Sequence, residues 1–302
     1  PAPRYCIGTV AITLWRNHSI GRSMARSLTL VGEHRVSIGP PYYNPVSAIF
    51  AVPMLLVLLV GPLLRWKRDS LSRIAVPLAI VGALLAASVT VLVLFTDAGV
   101  LPVLGLAIAV ALALASWLPL RGRKLKRVPL ALWGSMLAHF GVAVSLAGMA
   151  SETAFSIERL VAVEAGESVA VGPYQVTLQE VDPVAGPNWT ALEGRLAITG
   201  GGVDTVLRPQ ARYFTDPPQS TSESALLTRW DGQFYAILGD AAGEGRWQLR
   251  LWWKPFVTLI WYGALLIALG GLLSIFGHLR ASARSRRIRE EVARRRAEKA
   301  LL

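Results

Sequence analysis

Of 302 residues only four are histidine, and one of these, His139, falls at the centre of an apolar run over 129–150. An ionisable side chain at mid-bilayer costs on the order of a few kcal/mol unless it is paired, metal-bound or facing a wet cavity. A neutral imidazole is a good iron ligand when its second ring nitrogen is satisfied, so metal ligation is one role open to it. A place on a proton path and a hydrogen bond to a neighbouring helix are the others, and the residue type alone does not choose among them. His18, His34 and His278 lie in a polar segment or beside a basic tail and read as surface groups. Cys6 is the only cysteine, which excludes an internal disulfide, a CxxC redox pair and a thiolate zinc site. No constellation assigns a catalytic residue.

The elements that must position His139 are membrane helices. Hydrophobic residues make up 53% of the chain and charged residues 17%, below the roughly 25% charged of a soluble domain. About 20 apolar residues cross a bilayer, and five stretches qualify: roughly 46–64, 74–95, 100–120, 129–150 and 255–277. In the fourth, Gly134, Ala138, Gly141, Ser145 and Gly148 recur at spacings of four and three, a stripe of small residues that lets a second helix come close. His139 lies beside that stripe, on a face with Ser135, Met136, Val142 and Ala143.

The net charge of +12 resolves into a topology. Residues 65–73, 121–127 and the tail from Arg280 together carry +14, whereas 151–252 hold seven Arg against thirteen acidic residues. Basic short loops stay cytoplasmic, so the three basic segments are expected on the cytoplasmic face and the acidic block on the other side. The basic tail reads as a topology determinant touching anionic lipid, and nucleic acid is not an expected partner because no aromatic or fold signal supports it. The acidic block reads as β. Tyr174, Val176 and Leu178 alternate with polar residues, as do Leu196 and Ile198, and then Trp247, Leu249 and Leu251. Turn signals at Gly166-Glu167, Gly186-Pro187-Asn188, Gly200-Gly201-Gly202 and Asp231-Gly232 separate the runs, and a small barrel or sandwich follows.

The expected fold class is therefore a polytopic α-helical membrane protein of about five spans, with a small all-β periplasmic domain inserted before the last. The expected divisions are an N-terminal segment 1–45, four spans over 46–150, the β domain 151–252, a final span 253–278 and a cytoplasmic tail 279–302. Residues 1–45 are too polar to span and lack a signal-peptide core, and truncation or a misread upstream frame is one explanation expected for them.

Several ordered motifs resemble one family. Gly39-Pro-Pro-Tyr-Tyr-Asn-Pro45, Gly61-Pro-Leu-Leu-Arg-Trp-Lys-Arg68, Ala138-His139-Phe140-Gly141-Val142-Ala143-Val144, Ser156-Ile157-Glu158-Arg159, Gly186-Pro187-Asn188-Trp189, Arg212-Tyr213-Phe214, Lys254-Pro255-Phe256-Val257 and Ala268-Leu269-Gly270-Gly271-Leu272 follow the C-terminal half of CcmF, the haem lyase component of cytochrome c biogenesis. The resemblance covers about 36–277. It implies an inner-membrane protein that joins haem vinyl groups to the CxxCH cysteines of apocytochrome c. Haem, the substrate, is received from the chaperone CcmE, and the work is shared with CcmH. It further implies a b-type haem held between two membrane histidines, with His139 matching the C-terminal one as an axial ligand of the haem iron. The family's tryptophan-rich segment, its two flanking histidines and the second membrane histidine lie upstream of anything matched here. The alternative is a non-catalytic haem-binding or scaffold fragment that needs a separate N-terminal half.

Overall fold

In a computed structural model the described residues are 40–61, 64 and 71–300. His18, His34 and Cys6 lie outside them, as does nearly all of the 1–45 segment. The chain divides after Leu56 into two units. Among the described residues five long helices form: α1 Pro40–Val60, α2 Leu71–Phe95, α3 Val100–Ala115, α4 Leu130–Phe155 and α5 Leu259–Ala300. Four stretches among the described residues, Ser72–Phe95, Val100–Leu120, Leu130–Phe155 and Leu259–Arg296, are long and apolar enough to cross a membrane. The first expected span overlaps α1, where Ile49–Val60 is a shorter apolar helix. Pro77 is accommodated inside α2. Inside the helices Thr90 and Ser116 return their hydroxyls to the carbonyls of Ala86 and Leu112, at 2.9 and 2.6 Å, which satisfies them where water is scarce.

Short connections make α2, α3 and α4 successive antiparallel neighbours. Thr96–Gly99 joins α2 to α3, and the α3–α4 loop contains two 3₁₀ turns, Leu118–Leu120 and Leu125–Arg127. Leu59 near the end of α1 and Val81, Ala111, Leu112, Ala115 and Ala143 of these helices pack into one buried cluster. The opposite face of α4 meets α5 through its small residues. A Cβ added at Gly141 would stand 2.7 Å from both the carbonyl oxygen of Gly263 and the amide nitrogen of Ile267. One at Gly148 would stand 2.8 Å from the Ile260 amide nitrogen, so backbone lies against backbone. Ser145 closes the pair, its hydroxyl donating to the Ile260 carbonyl at 3.1 Å.

Between α4 and α5 the chain builds two facing sheets. Ten strands run from β1 (Ile157–Val163), β2 (Ser168–Val171), β3 (Tyr174–Ala185), β4 (Trp189–Gly200) and β5 (Val203–Leu207) to β6 (Gln210–Phe214), β7 (Gln219–Glu223), β8 (Ala225–Arg229), β9 (Gly232–Gly243) and β10 (Arg246–Pro255). One sheet has the order β1-β10-β9-β8, the other β2-β3-β4-β6-β7 with β5 also paired to β4. All neighbours are antiparallel, so one face of each strand is free to bury itself. Val176, Leu178, Leu196, Ile198, Phe234, Leu238, Leu249 and Leu251 fill the interior. The Gly186–Asn188, Gly200–Gly202 and Asp231-Gly232 turn signals stand at the β3–β4, β4–β5 and β8–β9 connections. Tyr174 packs edge-on against Phe234 and Trp253, with ring centroids 5.5 and 5.2 Å apart.

The last helix begins later than the hydropathy pattern suggests. β10 runs through Pro255, and Phe256 adopts φ 60 with its N–H donating to the Asp231 carbonyl at 2.7 Å. Thr258 donates its hydroxyl to the Trp230 carbonyl at 2.9 Å before α5 starts at Leu259. From there α5 continues without a break into the basic tail, a rod of about 63 Å at 1.5 Å per residue, roughly twice the hydrocarbon thickness. The final apolar span and the charged tail are one helix.

Candidate functional site

His139 is the tenth residue of α4, about 14 Å along the helix from Leu130. Its Nδ1 is 2.7 Å from the Ser135 carbonyl oxygen. That oxygen can only accept, so in the neutral ring Nδ1 carries the hydrogen and Nε2 keeps its lone pair. The helix itself thus sets the tautomer and leaves one nitrogen donor.

The imidazole lines a cavity of about 680 Å³, within the usual size range of cofactor sites. The wall has an apolar part, from Val57, Leu58 and Leu64 near the end of α1, Pro77 of α2, Leu118 and Pro119 after α3, and Leu132 and Met136 of α4. Ser116 and Ser135 also line it, their hydroxyl or carbonyl oxygens already engaged within their own helices. Phe140, next to His139, is fixed edge-on to Trp117 at a centroid distance of 6.0 Å. Gly61 and three arginines, Arg73, Arg121 and Arg123, complete the described lining, and no carboxylate is present among those residues. Among the described residues no cluster of three His, Cys, Asp or Glu could hold a bare metal ion.

Of the two described histidines, His139 and His278, only His139 lines this cavity. His278 is exposed on α5 where the apolar part gives way to the arginines. Val142 and Ala143, expected on the His139 face, belong instead to the packed cluster between helices, while Ser135 and Met136 do share the cavity. Sequence reasoning missed the three arginines as site residues because it treated them as topology charges. The signal was nonetheless present: antiparallel hairpins bring the start of α2 and the α3–α4 loop to the end of the bundle from which α4 sets out.

The β domain offers a different kind of surface. Six arginines form ion pairs there, among them Arg250 Nε with Glu158 Oε1 at 2.6 Å, Arg212 Nη1 with Glu223 Oε1 at 3.2 Å, and Arg195 with Glu180. The Arg212 and Arg250 guanidiniums also lie over Trp189 and Trp252, 4.3 and 4.4 Å from the ring centroids. Where the domain joins the helices, Lys254 Nζ donates to Glu152 Oε1 at 2.9 Å.

Residues 154–255 match the family model described as CcmF C-terminal beta-sandwich. The chain is 35% identical over 257 residues to the cytochrome c-type biogenesis protein CcmF of Escherichia coli (strain K12), a match covering 82% of this chain and 39% of that protein. It is 33% identical to CcmF of Haemophilus influenzae, over 82% of the chain and 40% of the relative, and 32% identical to CycK of Rhizobium meliloti, over 80% and 38%. A solved structure titled cytochrome c heme lyase CcmF superposes with a TM-score of 0.63 at 26% identity, covering 78% of this chain and 40% of that one. The chain thus spans about two fifths of the length of the relatives it matches.

Proposed function

Because the chain belongs to the CcmF family, we propose that it serves cytochrome c maturation, as the part of a haem lyase that carries one axial ligand of a membrane b-type haem. Its setting is the bacterial inner membrane, with residues 151–252 on the periplasmic side and the α5 tail in the cytoplasm. The observation that carries this reading is His139, the one imidazole among the described lining residues, with its tautomer set by Ser135, in a cavity large enough for a cofactor. A single protein donor suits a metal that brings its own equatorial ligands, and no described cluster suits a bare ion. The second axial histidine comes from outside this chain.

In this role the chain's residues do three things. Ser135 accepts from Nδ1–H and so aims the Nε2 lone pair and strengthens it as a donor. Leu132, Met136 and the ends of α1 and α3 keep the ring in an apolar surround. The α4–α5 contact makes α4 rigid, so the imidazole does not drift. A haem bound there supplies one-electron redox chemistry for incoming haem iron, and the β domain is the docking platform for CcmE, CcmH and apocytochrome c. Thioether formation uses the apocytochrome's cysteines, so this chain contributes no thiol to it.

The test is spectroscopic. The chain is purified together with the upstream part of a family member, and reduced-minus-oxidised spectra are taken of wild type and His139→Ala. Loss of the b-type absorption in the variant is the expected result, and an undiminished band would remove His139 from the site. The scaffold alternative predicts that the chain restores cytochrome c maturation only when the upstream part is present, with haem content unaffected by His139→Ala.

A further inference from the structure

The described lining of the cavity around His139 includes three arginines, and they have a place in the bundle. Arg73 stands near the start of α2, and Arg121 and Arg123 stand in the α3–α4 loop, so all three belong to the end of the bundle where α4 begins. His139 lies about 14 Å further along α4. Apart from Ser116 and Ser135, whose oxygens are engaged, the described side chains between them are apolar, and no described lining residue is acidic. Guanidinium groups stay charged at any physiological pH and match carboxylates with two parallel hydrogen bonds. A cavity with a metal-binding nitrogen at one level and three fixed cations at the other fits a ligand with an apolar body and carboxylates on one edge.

We propose that Arg73, Arg121 and Arg123 form a carboxylate clamp that seats the propionate edge of the His139-bound macrocycle at the α3–α4 end of the cavity. The clamp rests on the reading of His139 as a ligand and adds to it an orientation, since it selects which edge of the ring faces the loop. It also gives two of the chain's basic loop segments a second task besides setting topology. Arg121 and Arg123 are exposed in the described chain, as groups at the mouth of a cavity would be before a ligand covers them.

Two porphyrins separate the possibilities. The full chain in neutral detergent micelles, with imidazole added to fill the other axial position, is titrated with haemin and with haemin dimethyl ester, and binding is read from the Soret band. Wild type is expected to hold haemin about tenfold or more tighter than the ester, the effect of charged hydrogen bonds that only the free acid can make. In the Arg121→Gln/Arg123→Gln double variant most of that preference disappears, while ester affinity and band position stay as in wild type. Equal affinity for the two porphyrins in wild type, with both lost in His139→Ala, overturns the clamp and leaves the ligand assignment standing. Binding of neither porphyrin by wild type, or binding unaffected by His139→Ala, overturns the His139 reading and the clamp with it. A preference abolished by adding phosphatidylglycerol to the micelles shows that the arginines serve lipid headgroups, which also overturns the clamp.

Discussion

The β sandwich and the α4–α5 pair are held together in opposite ways. The sandwich hides its large side chains: Phe234, Leu178, Leu196, Ile198, Leu238 and Leu251 are fully inside, while its arginines and glutamates pair on the surface. The helix pair turns large side chains outward, with Leu265, Leu272, Ile275 and Phe276 all exposed, and puts glycines at the contact. The solvent explains the inversion. In water, burying apolar area stabilises at about 25 cal/mol per Å², whereas lipid tails are as apolar as leucine and give helices nothing for hiding it. What remains in lipid is close approach, which only small residues permit.

The comparison breaks if the two regions respond alike to changes of side-chain size. Phe234→Ala, in the centre of the sandwich, is expected to cost about 3–5 kcal/mol, read as a lower denaturation midpoint by near-ultraviolet circular dichroism. In the helix pair the sensitive change is addition. Gly141→Leu places atoms where the Gly263 carbonyl and Ile267 amide already lie, and since backbone cannot step aside the cost is expected to reach about 3 kcal/mol. SDS titration of the micelle-bound protein measures it. Leu265→Ala on the outward face of the same helix is its control, expected within about 0.5 kcal/mol. A Leu265→Ala loss as large as that of Phe234→Ala would mean that α5 is held by a buried apolar core after all.

How much of this was legible in the sequence follows the same division. Strands were visible at Tyr174, Val176 and Leu178 and at Leu196 and Ile198, where burial of one face imposes a period of two, but β9 was not, because Tyr235 and Ile237 between its buried Phe234, Ala236 and Leu238 are apolar too and hide the alternation. β6, β7 and β8 contain no fully buried residue, so no apolar alternation marked them. The small-residue stripe of α4 was legible because lipid gives glycine and serine at that spacing one main use, and α5 now occupies it. His139 was legible as costly. The arginines near it were not legible as site residues, since a loop charge carries no mark of which cavity it lines. The start of α5 was misplaced by four residues because Pro255, Phe256, Val257 and Thr258 are as apolar as a span, yet the β8–β9 hairpin holds them in a turn.

The smallest expected effect separates the two regions by pH. Tyr174 is buried in the sandwich, and that burial raises its phenol above the ordinary value of 10.0, with Arg229 opposing and Asp231 adding to the rise. A phenol that resists ionising in the folded state but not in the unfolded one contributes stability that is present below pH 10, and it is lost as pH rises through the folded value. Tyr174→Phe removes the ionisable group and keeps the ring contacts with Phe234 and Trp253. At pH 7 the variant is expected within about 1 kcal/mol of wild type, and above pH 10 it should lose less stability than wild type does. The loss in wild type belongs to the sandwich, so near-ultraviolet signals should fall before the helical far-ultraviolet signal does. Identical alkaline profiles for the two proteins would show that the Tyr174 phenol does not set the alkaline limit of the sandwich.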